Sequence, residues 1–126
     1  MTLFHAVIWI DHQQAQVLQF DAEHVQARKV KAHSHPTGQH GSAVRTQHEF
    51  YGQVCDEVAD VPELLVTGSR QSQADFRHYV EKHRPALIKR ILGWETVDHP
   101  TDNQLVALAR KQFLKLDRMA GTPTPS

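Results

Sequence analysis

The chain has 126 residues, and its 14 Lys and Arg offset 14 Asp and Glu, so the net charge is zero with histidine neutral; that sets aside a wholly basic nucleic-acid binder but leaves room for a local basic patch. A single cysteine, Cys55, excludes an internal disulfide framework and a Cys-rich zinc site. The longest apolar run near the start, Ala6 to Ile10, is too short for a membrane span or a signal peptide, so no membrane partner is expected and the expected compartment is the cytoplasm.

Residues 3–10 are rich in β-branched and aromatic side chains on both faces, which predicts a central strand covered on both sides. Asp11-His12-Gln13 reads as a turn, residues 14–20 as a second strand, and 24–32 as a third. The change of phase between Ala27 and Val30 points to a bulge in that third strand. Residues 33–45 show no apolar period, are rich in turn formers, and are expected to form a long loop, with 34–44 poorly ordered in the free protein. Thr46 with Glu49 makes a capping box for a helix whose inner face carries Phe50, Tyr51, Val54, Cys55 and Val58. A buried strand over 63–67 follows, then a helix over 72–83 opened by Ser72 and Asp75. A further turn over 86–90 and a strand over 91–97 come next. Thr101 with Gln104 forms a second capping box, for a helix that Gly121 stops.

The order β-β-β-α-β-α-β-α implies antiparallel hairpins in the first half and right-handed parallel crossovers in the second. The expected fold is therefore α/β and ribonuclease H-like, with a five-stranded mixed sheet and three helices. Strand one is central, between strands two and four. The expected organisation is one domain over residues 1–120 with a disordered tail over 121–126.

The segment Glu63-Leu-Leu-Val-Thr-Gly-Ser, the helix 72–83, and the stretch from Thr96 to Arg110 resemble a bacterial family of translational machinery proteins. That family is related to the middle domain of archaeal and eukaryotic peptide-release factors and Pelota. The resemblance spans about residues 4–118 and implies the ribonuclease H-like fold of translational machinery components. It also implies that the loop Pro36-Thr37-Gly38-Gln39-His40 stands where release factors carry a Gly-Gly-Gln loop, whose glutamine helps water hydrolyse peptidyl-tRNA. Gly38 and Gln39 match that pattern. Thr37 replaces the first glycine, and a β-branched residue resists the backbone shape that glycine allows.

The candidate residues fall into three groups. Arg28, Lys29, Lys31 and Arg45, with His33, His35, Gly38, Gln39 and His40 between them, contain no acid and can follow a phosphate backbone, and histidine also stacks on unpaired bases. His33, His35 and His40 have donor atoms for a metal, but no acid or thiol in the loop completes a rigid set. Asp11 and Asp98 end the first and last strands, where parallel strands would bring carboxylates to one sheet edge, as a two-metal nuclease requires. The reading that joins these is a translation-associated domain that binds the ribosome, structured RNA or tRNA, needs no cofactor, and is non-catalytic or weakly catalytic. The competing reading is a hydrolase, acting on peptidyl-tRNA through Gln39 or as a nuclease through Asp11 and Asp98.

Overall fold

The computed structural model describes residues 4–32 and 42–119. The first half of the chain forms β1 (His5–Ile10), β2 (Gln14–Phe20), β3 (Val25–Lys31) and α1 (Ser42–Glu57). After these come β4 (Glu63–Gly68), α2 (Arg70–His83), the one-turn α3 (Pro85–Ile88), β5 (Ile91–Thr96) and α4 (Asp102–Met119). The strands lie in the order β3-β2-β1-β4-β5. β2 is antiparallel to both β1 and β3, whereas β4 is parallel to both β1 and β5. This is the α/β mixed sheet expected from the sequence, with β1 between β2 and β4.

β1 is central because it has two apolar faces. Successive side chains of a strand point to opposite sides. Ala6, Ile8 and Ile10 meet Phe50 and Val54 of α1 and Phe76 and Val80 of α2. Val7 and Trp9 meet Leu105, Ala109 and Phe113 of α4 on the other side. Helices thus cover both faces, and burying each large apolar side chain contributes roughly 1.5–3 kcal/mol.

Three local expectations need correction. β3 holds an unbroken register against β2, from Gln14 opposite Lys31 to Phe20 opposite Val25, with no bulge between Ala27 and Val30. The irregularity lies instead between β4 and β5, at Leu64 and Leu65. The phase change in β3 arises because it is an edge strand: Val25 and Ala27 point to one face and stay exposed, and Val30 alone is buried on the other. α1 begins at Ser42, so Thr46 and Glu49 lie within the helix instead of at its start. No glycine or proline between 42 and 46 stops helix propagation. α2 begins at Arg70, because Ser69 is the cap and its hydroxyl accepts from the Ser72 backbone N–H at 3.1 Å. The Thr101 box forms as read: Thr101 Oγ1 accepts from Gln104 N at 3.2 Å, and Gln104 Oε1 accepts from Thr101 N at 2.9 Å. The loop 34–41 and the tail 121–126 lie outside the described residues.

Both hairpin turns rest on an aspartate. Asp11 Oδ1 accepts from the Gln13 and Gln14 N–H groups, each at 2.7 Å. Asp21 Oδ1 accepts from Glu23 N at 2.8 Å and His24 N at 2.6 Å. These bonds, chiefly that from Glu23, hold the Asp21 carboxyl below its ordinary value. A carboxyl depressed on folding adds stability above its unfolded-state value, near pH 4, and loses it as pH falls through the lower folded value. The β2–β3 turn is therefore expected to loosen below about pH 4, and Asp21→Asn to flatten that acid limb. Amide exchange at Glu23 and His24 measured from pH 5 to 2 is the check.

Cys55 is buried on the inner face of α1, and burial pushes its thiol up to about 11. Thiolate is the reactive form. At pH 8 a chromogenic thiol reagent is expected to label the folded protein far more slowly than the urea-unfolded chain. Equal rates would contradict the burial.

Candidate nucleic-acid interface

The basic run on β3 is divided by the pleat. Lys29 lies opposite Gln16 and Lys31 opposite Gln14, both on the α4 side of the sheet. Arg28 lies opposite Val17, on the α1 side. There its Nε stands 3.9 Å from Glu57 Oε2 at the end of α1, an exposed pair that partly neutralises it. Lys29 and Lys31 have no ion-pair partner among the described residues. The strand continues its pairing to Ala32, whose N–H donates to Gln13 O at 2.8 Å. Arg45 is exposed in α1. His33, His35, Gly38, Gln39 and His40 lie outside the described residues.

A cleft opens on each side of this edge. That between β3 and α1 is lined by Lys29, Val30 and Lys31 of the strand and by Gln53, Asp56 and Glu57 of α1. On the α4 side, Lys29 lies at the rim of a cavity of about 180 Å³ beside Trp9, Gln16 and His99. That cavity is built from tied groups. The Trp9 indole donates to Asp98 O at 2.8 Å, the Trp9 and His99 rings lie 4.2 Å apart, and Gln16 Nε2 donates to both Asp102 oxygens at 3.1 Å. Lys29 thus borders both clefts and Lys31 the one beside α1, while the pleat sets both lysines on the α4 side of the strand.

Four other basic groups, all arginines, serve the fold. Arg84 Nη2 donates to Asp56 Oδ1 at 3.0 Å, and that bond raises the guanidinium above its ordinary pKa. Arg90 Nη1 donates to the carbonyls of Ala59 and Val61 at 2.7 and 2.8 Å, tying the exit of α1 to α3. Arg77 pairs with Glu81 at 3.6 Å and lies over the Trp94 ring at 5.5 Å. Arg110 donates to Asp21 O at 3.0 Å and covers the Phe20 ring.

Asp11 and Asp98 do reach the carboxyl ends of parallel strands, but β4 lies between β1 and β5, so the strand axes are about 10 Å apart. The Asp11 carboxylate is already bonded to two backbone N–H groups. Among the described residues no group of three or more His, Cys, Asp or Glu side chains is placed to hold a metal ion.

No protein-family model matches the sequence, and no curated protein matches it. Solved structures do. Pelota from Archaeoglobus fulgidus superposes with a TM-score of 0.61 at 16% identity, over 93% of this chain and 33% of that one. An archaeal translation termination factor, aRF1, gives 0.58 at 14% identity, over 93% and 41%. Pelota from Thermoplasma acidophilum gives 0.57 at 11% identity, over 90% and 32%. The fold is similar to part of these proteins. The chain spans between about a third and two-fifths of their length, and at such identities the fold is what is shared.

One grouping escaped the sequence reading. Four of the ten histidines, His12, His48, His78 and His83, line a groove between α1 and α2. The signal was present: His48 with Tyr51 and Tyr79 with His83 sit three and four residues apart on their helices, so each pair shares a face. What the sequence did not reveal was that α1 and α2 bring those faces together.

Proposed function

We propose that this chain is a translation-associated RNA-binding domain that docks on the ribosome or another structured RNA through the α4 side of β3 and does no chemistry of its own. The observation that carries this reading is the pair Lys29 and Lys31, side by side on an exposed edge strand and unpaired with any carboxylate among the described residues. Its setting supports the reading: the fold is similar to that of a translation termination factor. Phosphate contacts supply affinity without demanding sequence, and each one releases counterions, so such binding weakens steeply with salt. The edge strand supplies a rigid base from which residues 33–41 continue toward α1.

Cosedimentation with ribosomal subunits tests it. Association is expected at 50 mM salt and is expected to fall sharply by 200 mM. Gln39→Ala is expected to leave that association intact, since a neutral amide contributes at most a hydrogen bond, on the order of 1 kcal/mol. Absence of association at 50 mM, or association indifferent to salt, would overturn the RNA reading. Hydrolysis of peptidyl-tRNA by the protein, abolished in Gln39→Ala, would overturn the non-catalytic part.

A further inference from the structure

α1, packed on β2 and β3, and α2, packed on β4 and β5, lie side by side on one face of the sheet, either side of the point where the strand order reverses. From β1 the chain moves outward to β2 and β3; from β4 it moves the other way, to β5. In open α/β sheets such a reversal opens a crevice at the carboxyl ends of the strands, where ligands commonly bind. The groove between α1 and α2, of about 320 Å³, reaches that end through His12, two residues past the end of β1, and extends along α2 to His83.

The groove is lined by rings. The centroids of His48 and Tyr79 are 5.4 Å apart, those of His48 and His83 5.2 Å, and those of Tyr79 and His83 4.8 Å. Tyr51 supports Tyr79 from within the core at 5.5 Å. The Tyr79 hydroxyl rests against Gly52, where a Cβ would stand 3.3 Å from it, so the missing side chain is what lets the ring lie close to α1. Around these rings stand Lys82 and His12, with His12 Nε2 held 3.3 Å from Asp75 Oδ2. Gln47 also lines the groove. Its amide nitrogen is buried near the Tyr51 hydroxyl, yet meets no acceptor in hydrogen-bonding geometry.

Those features select one ligand chemistry. A flat π-system can stack on one exposed imidazole while the inclined neighbouring rings meet its edge, and histidine and tyrosine both contact unpaired bases in this way. Lys82 beside the rings calls for an anion on the same ligand. The unmatched Gln47 donor calls for an acceptor, such as a base carbonyl or ring nitrogen, after a small side-chain shift. The imidazoles do not converge as metal ligands. We propose that the α1–α2 groove binds one unpaired nucleotide, its base stacked on the exposed His83 ring with the inclined His48 and Tyr79 rings at its edge, and its phosphate beside Lys82. The site deepens the RNA-binding reading above by adding a base-holding subsite on the sheet face opposite Lys29 and Lys31. The same chemistry is offered by a free mononucleotide and by a nucleotide of single-stranded RNA.

The test follows the histidine and tyrosine ring signals of the full chain by NMR during titration with AMP, with hexa-adenylate RNA, and with inorganic phosphate. Shifts confined to His48, Tyr79 and His83 on adding AMP or the hexamer are expected; response to AMP identifies the free nucleotide as sufficient, and response to the hexamer alone identifies RNA as the source. His83→Ala is expected to weaken that binding about fivefold or more, the effect of removing one stacking ring, and His83→Phe to preserve it. His83 is exposed, so thermal melting of both variants should match the parent. Equal shifts with phosphate and AMP would overturn the base site, as would equal AMP affinity in parent and His83→Ala. Hexamer binding sensed only at the His99 ring, in the cavity that Lys29 borders, would overturn the groove and leave the RNA reading standing. Salt-dependent ribosome association that fails together with hexamer binding would remove both.

Discussion

Gly68→Ala is expected to destabilise the protein by about 3–5 kcal/mol, a large part of the roughly 5–15 kcal/mol typical of a domain. Gly68 ends β4 directly beside the end of β1, with Ile10 as its register partner. Its φ is +143°, a conformation that residues with a side chain rarely adopt and that costs about 1–3 kcal/mol. A Cβ added there would stand 2.3 Å from the Ile10 carbonyl oxygen, so the central β1–β4 pair would have to part. Overpacking of this kind costs a further 1–3 kcal/mol. The same glycine anchors its surroundings: its carbonyl accepts from Gln73 Nε2 at 2.9 Å and from Val97 N at 3.1 Å. Displacing it would disturb α2 and the segment leading to α4 as well as the sheet. Urea unfolding followed by circular dichroism is the measurement, and an unchanged midpoint for Gly68→Ala would contradict this account.

The elements legible in the sequence are those where local pattern and tertiary need coincide. β1 was readable as central because Ala6, Val7, Ile8, Trp9 and Ile10 leave no polar face to expose, and the structure buries both sides. The inner face of α1 was readable because Phe50, Tyr51, Val54, Cys55 and Val58 follow the helical period. Helix starts were less legible. Thr46-x-x-Glu49 and Thr101-x-x-Gln104 have the same form, yet only the second caps a helix. Asp98-His99-Pro100 precedes the second and keeps helix from extending upstream, whereas nothing between Ser42 and Thr46 does so. Side-chain direction on β3 was hidden for a related reason. Arg28, Lys29 and Lys31 look like one cluster along the chain, but alternation sends them to opposite faces, and only the pairing with β2 says which face is open. The groove between α1 and α2 depends on His48 of one helix meeting Tyr79 of the next, far apart in sequence, which no local pattern encodes.

That division of β3 sets the last prediction. Lys29→Gln with Lys31→Gln is expected to lower RNA or ribosome affinity by about tenfold or more near 0.1 M salt, and to reduce the slope of log K against log salt by about 1.4–1.8 units. The estimate counts two lost phosphate contacts, each worth about 0.7–0.9 of a slope unit. Arg28→Gln is expected to change the slope by well under one unit, because the guanidinium is turned to the α1 side and already shares its charge with Glu57 at 3.9 Å. The Arg28 change also frees the Glu57 carboxylate in the cleft between β3 and α1. Lysines on an edge strand have a second physical role, since their charge keeps the open backbone from pairing with another sheet. The two roles separate by measurement. A double variant that self-associates in sedimentation while its salt slope is unchanged would assign Lys29 and Lys31 to edge protection alone. A slope that falls by about 1.4–1.8 units in a monodisperse double variant, and hardly at all in Arg28→Gln, would place the phosphate-binding surface on the α4 side of β3.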